Sequence, residues 1–222
     1  MDRADGRQRE LAWRTCPIHD LPRDLQAMGL PATDLARATS IADPAARQRF
    51  LTGRTLLRAT IAELCPDVDA HTVAIEVAAS GRPTIAGCAD MHVSVSHTHG
   101  LAAAAVSTRG PVGIDVEPLS RTDLPPGHAW LTTSEEDRLA AHPPEERRRH
   151  LLRLWVAKEA TLKAHDTRVT RRSITIHPEG HDRGRAVEAI EPDADGPVVA
   201  TLDWERVAHR FVLAVATVPV EA

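Results

Sequence analysis

The strand-like run from Val112 to Glu117 constrains the fold of this chain more than any other segment. Valine and isoleucine occupy every second position, and Gly113, Asp115 and Glu117 occupy the positions between them. Because successive side chains of a β-strand point to opposite faces, one face is apolar and the other presents two carboxylates. Two like charges on one face repel each other, so the run predicts a strand with a cation or basic group between the carboxylates.

Composition indicates a water-soluble globular protein. The 222 residues suffice for one large domain or two small lobes, with 42% hydrophobic and 26% charged residues. We expect a cytoplasmic protein, since no apolar run could span a membrane and the N-terminus lacks the apolar core of a signal peptide. A net charge of −4 and 3% aromatic residues argue against nucleic-acid binding. The three widely spaced cysteines are interpreted as reduced structural thiols.

Helix and strand patterns occur in both halves of the chain, which predicts an α/β (α+β) fold. A helix is expected from Pro44 to Leu64, because Asp43 is a good N-cap and Pro66 ends the pattern. Thr133 and Glu136 have the spacing of a capping box, and a long helix follows over 145–164. Strands are expected over residues 11–18, 91–96, 101–107, 112–117, 173–177, 186–190, 198–204 and 210–218. The break at 109–111 predicts two similar lobes, residues 1–110 and 111–222.

Three arginines of the first long helix, Arg47, Arg54 and Arg58, are spaced to share one face. Such a face is either a solvated charged surface or a grip for phosphate.

The second long helix carries Trp155, Glu159 and Lys163 on one line, with Lys158 beside Glu159. One interpretation is a core tryptophan next to a surface ion pair. The other is that Glu159 completes a metal site with the two strand carboxylates while the lysines neutralise phosphate charge.

Ser96 and His97 follow a strand and favour either a hydrolase or a phosphate-binding role. The glycines of a nucleophile elbow are missing around Ser96, whereas a hydroxyl and an imidazole both donate hydrogen bonds to phosphate. The chain also lacks the glycine-rich loops of nucleoside triphosphatases and dinucleotide dehydrogenases.

Taken in order, four motifs resemble those of the 4′-phosphopantetheinyl transferases of the surfactin-synthetase-activator (Sfp) type, Trp/Lys-Glu-Ala subgroup. They are Gly-Arg-Pro at 81–83, Ser-His at 96–97, Gly-Ile-Asp-Val-Glu at 113–117 and the run from Trp155 to Lys163. The resemblance implies a pseudo-two-fold pair of α/β lobes, with the active site and coenzyme A in the cleft between them. It also implies a monomer that acts on an apo acyl or peptidyl carrier protein.

The resemblance assigns roles to the motif residues. Mg²⁺ would be held by Asp115, Glu117 and Glu159, and the catalytic residues would be Glu159, Lys163 and His97. Glu159 would deprotonate the carrier serine directly or through a bound water, with Glu117 as the alternative base. Coenzyme A would be bound by Arg47, Arg54, Arg58, Arg82, Pro83, Ser96, His97, Lys158 and Lys163.

The implied reaction transfers 4′-phosphopantetheine from coenzyme A to a carrier serine and releases adenosine 3′,5′-bisphosphate. Two other functions stay open: an inactive homologue that only binds coenzyme A or a carrier, and a metal-dependent phosphohydrolase. The sequence departs from the family at Arg82, where lysine is frequent, and over residues 164–167, where a glycine-containing loop is frequent.

Overall fold

The computed structural model of the chain describes residues 10–165, 170–188 and 198–218. The helices of this part are α1 (Arg23–Met28), α2 (Ala32–Thr39), α3 (Pro44–Leu64), α4 (Thr133–Ala141) and α5 (Pro144–His165). The strands are β1 (Leu11–Pro17), β2 (Ile75–Val77), β3 (Pro83–Ile85), β4 (His92–Thr98), β5 (Leu101–Ser107), β6 (Val112–Pro118), β7 (Ile174–Glu179), β8 (Arg183–Glu188), β9 (Val198–Val207) and β10 (Phe211–Thr217). This mixed content confirms the predicted α/β class.

The first half of the chain builds a three-stranded antiparallel sheet in the order β1-β5-β4. Helix α3 packs on one face of this sheet, and the small side chains of β5 let the helix approach it closely. Asp43 caps α3 as predicted, since its carboxylate accepts hydrogen bonds from the backbone N–H groups of Ala45 and Ala46. A separate short hairpin is formed by β2 and β3.

The second half builds a five-stranded antiparallel sheet in the order β6-β10-β9-β8-β7. Helix α5 packs on one face, and the core between them contains leucines, alanines, Trp155 of α5 and Trp204 of β9. The predicted capping box is wrong by one residue: the carboxylate of Glu135 accepts from the N–H of Thr132, which makes Thr132 the N-cap of α4. Residues 189 and 190 of the predicted strand 186–190 lie outside the described residues.

The two sheets meet through β5, which is buried along its whole length. Its even-numbered residues pack toward α3, whereas Leu101, Ala103 and Ala105 pack against β6 and β10. Ser94 of β4 links the sheets further, because its hydroxyl oxygen accepts a hydrogen bond from the N–H of Ile114 in β6 at 3.1 Å. The predicted lobe boundary at residues 110 and 111 lies between β5, of the first sheet, and β6, of the second. The division into two lobes and their pseudo-two-fold relation stay predictions.

None of the helices in the described ranges is both long enough and apolar enough to cross a lipid bilayer.

Candidate active site between the two sheets

Asp115 lies at the centre of the candidate site. It is on the face of β6 that the alternation of apolar and polar residues predicts. Its buried carboxylate accepts hydrogen bonds at Oδ1 from the Ser96 hydroxyl, at 2.9 Å, and from the Lys163 ammonium, at 2.7 Å. Within the described residues, its other oxygen, Oδ2, is buried without a hydrogen-bond partner. A buried carboxylate oxygen with no partner is costly, so it marks a position where a ligand or cation would be stabilised.

Gly113 brings Lys163 into this site, because it lets α5 lie directly against β6. A methyl group at position 113 would lie 1.9 Å from the carbonyl oxygen of Ala160 and 2.7 Å from the backbone nitrogen of Ala164. No side chain fits in that space. The close approach places the Lys163 ammonium 3.0 Å from the carbonyl oxygen of Ile114, next to Asp115.

Glu117 lies two residues further along the same face of β6, and the charge of Asp115 affects its pKa. Burial, followed by repulsion from Asp115, raises the pKa of the Glu117 carboxyl, and ion pairing with Arg121 partly opposes this rise. The raised pKa agrees with the expected closeness of two like charges that share a strand face.

Glu159 lies on α5, with its carboxylate paired to the guanidinium of Arg171. Arg171 and Arg121 both contact the ring of Trp155, with guanidinium carbons 5.1 Å from its centroid. In the described part of the chain, the ligand atoms of the three predicted metal ligands do not all lie within 4.8 Å of one another. Glu117 forms an ion pair with Arg121, and Glu159 forms one with Arg171.

Asp115 and Glu117 nevertheless fit a hard cation. The unpartnered Oδ2 and the neighbouring carboxylate offer oxygen ligands on one rigid strand, the donor type that Mg²⁺ prefers. Glu159 is instead paired with Arg171.

A cavity of about 310 Å³ opens beside β4, between α3 and the β3 hairpin. It combines apolar walls from Phe50 and Pro83 with basic side chains from Arg49 and Arg54, and His97 lies at its edge. The pKa of the His97 imidazole is lowered, first by burial and then by the charge of Arg49, which favours its neutral form.

Arg54 is the basic group best suited to a ligand in this cavity. It is buried and interacts with Asp34 at 3.6 Å, and in the chain as described its Nη1 atom is buried without a hydrogen-bond partner. Burial lowers the pKa of this guanidinium. A phosphate oxygen would supply the missing acceptor and the compensating charge.

Two predicted coenzyme A ligands have other roles, and both predictions are corrected. The guanidinium of Arg58 is buried against Asp34 and donates to the carbonyl oxygens of Ala70, His71 and Val73. The ammonium of Lys158 is fully buried, 2.7 Å from Glu135, and it donates to three further carbonyl oxygens, those of Trp130, Arg171 and Ile174. Neither side chain faces the cavity, so each of them stabilises the fold instead.

Two other predicted ligands, Arg82 and Arg47, also donate hydrogen bonds to backbone carbonyl oxygens. Arg82 reaches across the two halves of the chain, 3.4 Å from the carbonyl oxygens of Ala164 and Val112. Arg47 donates to the carbonyl oxygen of Ile41 at 2.8 Å. Arg37, Arg49 and Phe50 also line the cavity but were not predicted as site residues. The only available signal was that Arg49 and Phe50 lie on the same helix as Arg54, one turn before it.

Known proteins match the part of the chain that contains the carboxylates and Lys163. Residues 111–215 match the family model described as "4'-phosphopantetheinyl transferase superfamily". The chain is 31% identical to 4'-phosphopantetheinyl transferase HetI of Nostoc sp. over 159 residues, 68% of this chain and 66% of that protein.

Two Bacillus proteins give similar matches. The 4'-phosphopantetheinyl transferase psf-1 of Bacillus pumilus is 28% identical over 116 residues, 52% of this chain and 49% of that protein. The 4'-phosphopantetheinyl transferase of Bacillus subtilis is 29% identical over 115 residues, 52% of this chain and 50% of that protein. The chain thus spans between about half and just under two thirds of the length of these relatives.

Proposed function

We propose that this chain transfers the 4′-phosphopantetheine group of coenzyme A to a serine of an apo acyl or peptidyl carrier protein. The reaction uses Mg²⁺ and releases adenosine 3′,5′-bisphosphate. The names of the three relatives support the transferase class. The Sfp-type subgroup, the monomeric state and the cytoplasmic location are parts of the same proposal.

The observation that carries the proposal is the unpartnered Oδ2 of Asp115 beside the Lys163 ammonium. A diphosphate needs both a cation held by carboxylates and a positively charged side chain, and this arrangement offers both within one short stretch of β6 and α5. The unpartnered Nη1 of Arg54 supports a second anionic contact in the neighbouring cavity.

The cavity between α3 and the β3 hairpin would bind the nucleotide end of coenzyme A. Phe50 and Pro83 supply apolar surface for the adenine, and Arg54 supplies the charge-assisted contact to the 3′-phosphate. His97, in its neutral form, would orient a phosphate oxygen through a ring N–H. These contacts would hold the diphosphate against β6.

Asp115 and Glu117 would hold the metal ion, joined by Glu159 once that carboxylate leaves Arg171. When bound, Mg²⁺ supplies positive charge to the diphosphate oxygens. Lys163, held between Asp115 and the carbonyl oxygen of Ile114, would stabilise the negative charge that develops as the bond from the β-phosphorus to the bridging oxygen breaks.

The carrier serine oxygen forms the new bond to the β-phosphorus, and its proton passes to a carboxylate. Glu159 is the base that the family resemblance implies. Glu117 is the alternative base, and the raised pKa of its carboxyl supports that role. If Glu159 is the base, Glu159→Gln should lose the chemical step. If Glu117 is the base, Glu117→Gln should lose it.

Intact-mass measurement of an apo carrier protein tests the proposal. The carrier is incubated with the chain, coenzyme A and Mg²⁺, and it should gain the mass of one phosphopantetheine group. Free phosphopantetheine with an unmodified carrier would instead support a phosphohydrolase. Binding of coenzyme A without any product would support an inactive homologue.

A further inference from the structure

A second cluster of metal-ligating side chains lies at the junction of α4 and α5, on elements separate from the Asp115 site. It consists of His142, which follows the last turn of α4, and of Glu146 and His150 on the first turns of α5. Their ligand atoms all lie within 4.8 Å of one another, and in the described part of the chain no other such trio occurs. We propose that His142, Glu146 and His150 form a zinc site that ties the end of α4 to α5.

The ligand set has the chemistry of zinc sites. Two imidazoles and one carboxylate bind Zn²⁺ at about 2.0–2.2 Å, and a fourth position is left for water. Glu146 and His150 are four residues apart on one helix, so both side chains project from the same face. His142 completes the set because the chain turns back at Pro143 and Pro144.

The distances are close to those of a bound site. One oxygen of Glu146 lies 3.9 Å from Nδ1 of His142 and 3.9 Å from Nε2 of His150. In a tetrahedral zinc site, ligand atoms lie roughly 3.3 Å apart, given bonds of about 2.0–2.1 Å. Rotation of partly exposed side chains closes the remaining gap, and their exposure leaves an entry path from solvent.

Stacking of the two histidine rings holds the imidazoles side by side. Their centroids lie 3.7 Å apart, with an angle of 15° between the ring planes.

Neighbouring groups keep the junction in place and leave the cluster accessible. Arg147 donates to the carbonyl oxygens of His142 and Ala140, which fixes the turn between the helices. The cluster opens on a cavity of about 300 Å³, lined also by Arg138 and Arg153. Both of these arginines donate to backbone carbonyl oxygens, Arg138 to that of Ile176 and Arg153 to that of His181.

A zinc ion at this junction would reinforce the second sheet. Helix α4 carries Glu135, the buried partner of Lys158 on α5. A zinc ion bound to both helices would therefore help to keep this buried ion pair intact. Because the ion binds the folded state, zinc should raise the midpoint of thermal unfolding. At a hundredfold excess over the dissociation constant, the expected rise is about 5–10 °C.

Titration of the full-length, tag-free chain with Zn²⁺ by calorimetry, and with Co²⁺ by visible absorption, tests this site. We expect one ion per chain and the absorption of tetrahedral Co²⁺. His142→Ala and His150→Ala should each weaken Zn²⁺ binding by more than about tenfold, since even the loss of an outer-shell partner costs 10–100-fold. The thermal midpoint of each metal-free variant shows whether it folds.

Two controls separate this site from other binding. His128→Ala removes an exposed histidine of the same half of the chain. Asp115→Ala removes one ligand of the other candidate metal site, the one on β6. Both variants should bind Zn²⁺ like the unmodified chain. The proposal is wrong if the unmodified chain binds no Zn²⁺, if both histidine variants bind it unchanged, or if Asp115→Ala abolishes binding.

Discussion

Gly113→Ala should destabilise the protein, because the added methyl group has no room between β6 and α5. It would lie 1.9 Å from the Ala160 carbonyl oxygen, against an ordinary contact of at least 3.4 Å. The obstacle is helix backbone, so α5 must move by roughly 1.5 Å or β6 must bend. Overpacking of this kind costs about 1–3 kcal/mol, and more where backbone is displaced.

Urea unfolding followed by circular dichroism measures this loss. Gly53→Ala on α3 is the matched control: it adds the same methyl group at a buried glycine, but the nearest atom is a side-chain methyl of Val95 at 3.2 Å, not backbone. There, the gain in helix propensity of up to about 1 kcal/mol offsets the tight contact. If Gly113→Ala were as stable as the unmodified chain, the packing that brings Lys163 to Asp115 would not depend on this glycine.

Further predictions concern the cavity, the base, the buried ion pair and a thiol. Arg54→Ala should weaken coenzyme A by about 1.5–3 kcal/mol and leave 3′-dephospho-coenzyme A nearly unaffected by calorimetry; equal weakening would assign Arg54 to packing. Glu159→Gln should bind coenzyme A while transfer slows about 10²–10⁴-fold, and an unchanged rate would exclude it as the base. Lys158→Met should cost about 3–5 kcal/mol in urea unfolding, because it leaves Glu135 charged and buried; a loss below 1 kcal/mol would contradict the pair's role. Burial raises the pKa of Cys16 to about 11, so its thiol should resist iodoacetamide at pH 8 until the protein unfolds, and rapid labelling of the native chain would contradict its burial.

The sequence predicts elements that carry their own local signals. The alternation of apolar and polar residues predicted strand β6, although residues 112–116 are buried on both faces. The start of α3 was predicted because the side chain of Asp43 caps it. Helices α1 and α2 were missed because they are short and each follows a proline, with no side-chain cap. Strands β2 and β3, of three residues each, have too few positions to show a period.

The wrong predictions for Arg58 and Lys158 also arise where the sequence carries no local signal. Helical spacing correctly aligned Arg54 with Arg58, but the partner that buries Arg58 is Asp34, which lies on the missed helix α2. Lys158 is adjacent to Glu159 in sequence, yet successive helix residues point about 100° apart, so its ammonium reaches Glu135 instead. Tertiary partners decide such cases, and a single sequence does not show them.

The central claim is that coenzyme A donates phosphopantetheine to a carrier at the site around Asp115. Its most direct test is to quantify adenosine 3′,5′-bisphosphate and modified carrier in the same reaction, with the unmodified chain and with Asp115→Ala. We predict one bisphosphate per modified carrier for the unmodified chain with Mg²⁺, and neither product for the folded variant. Bisphosphate release without carrier modification, or an Asp115→Ala rate close to that of the unmodified chain, would contradict the account.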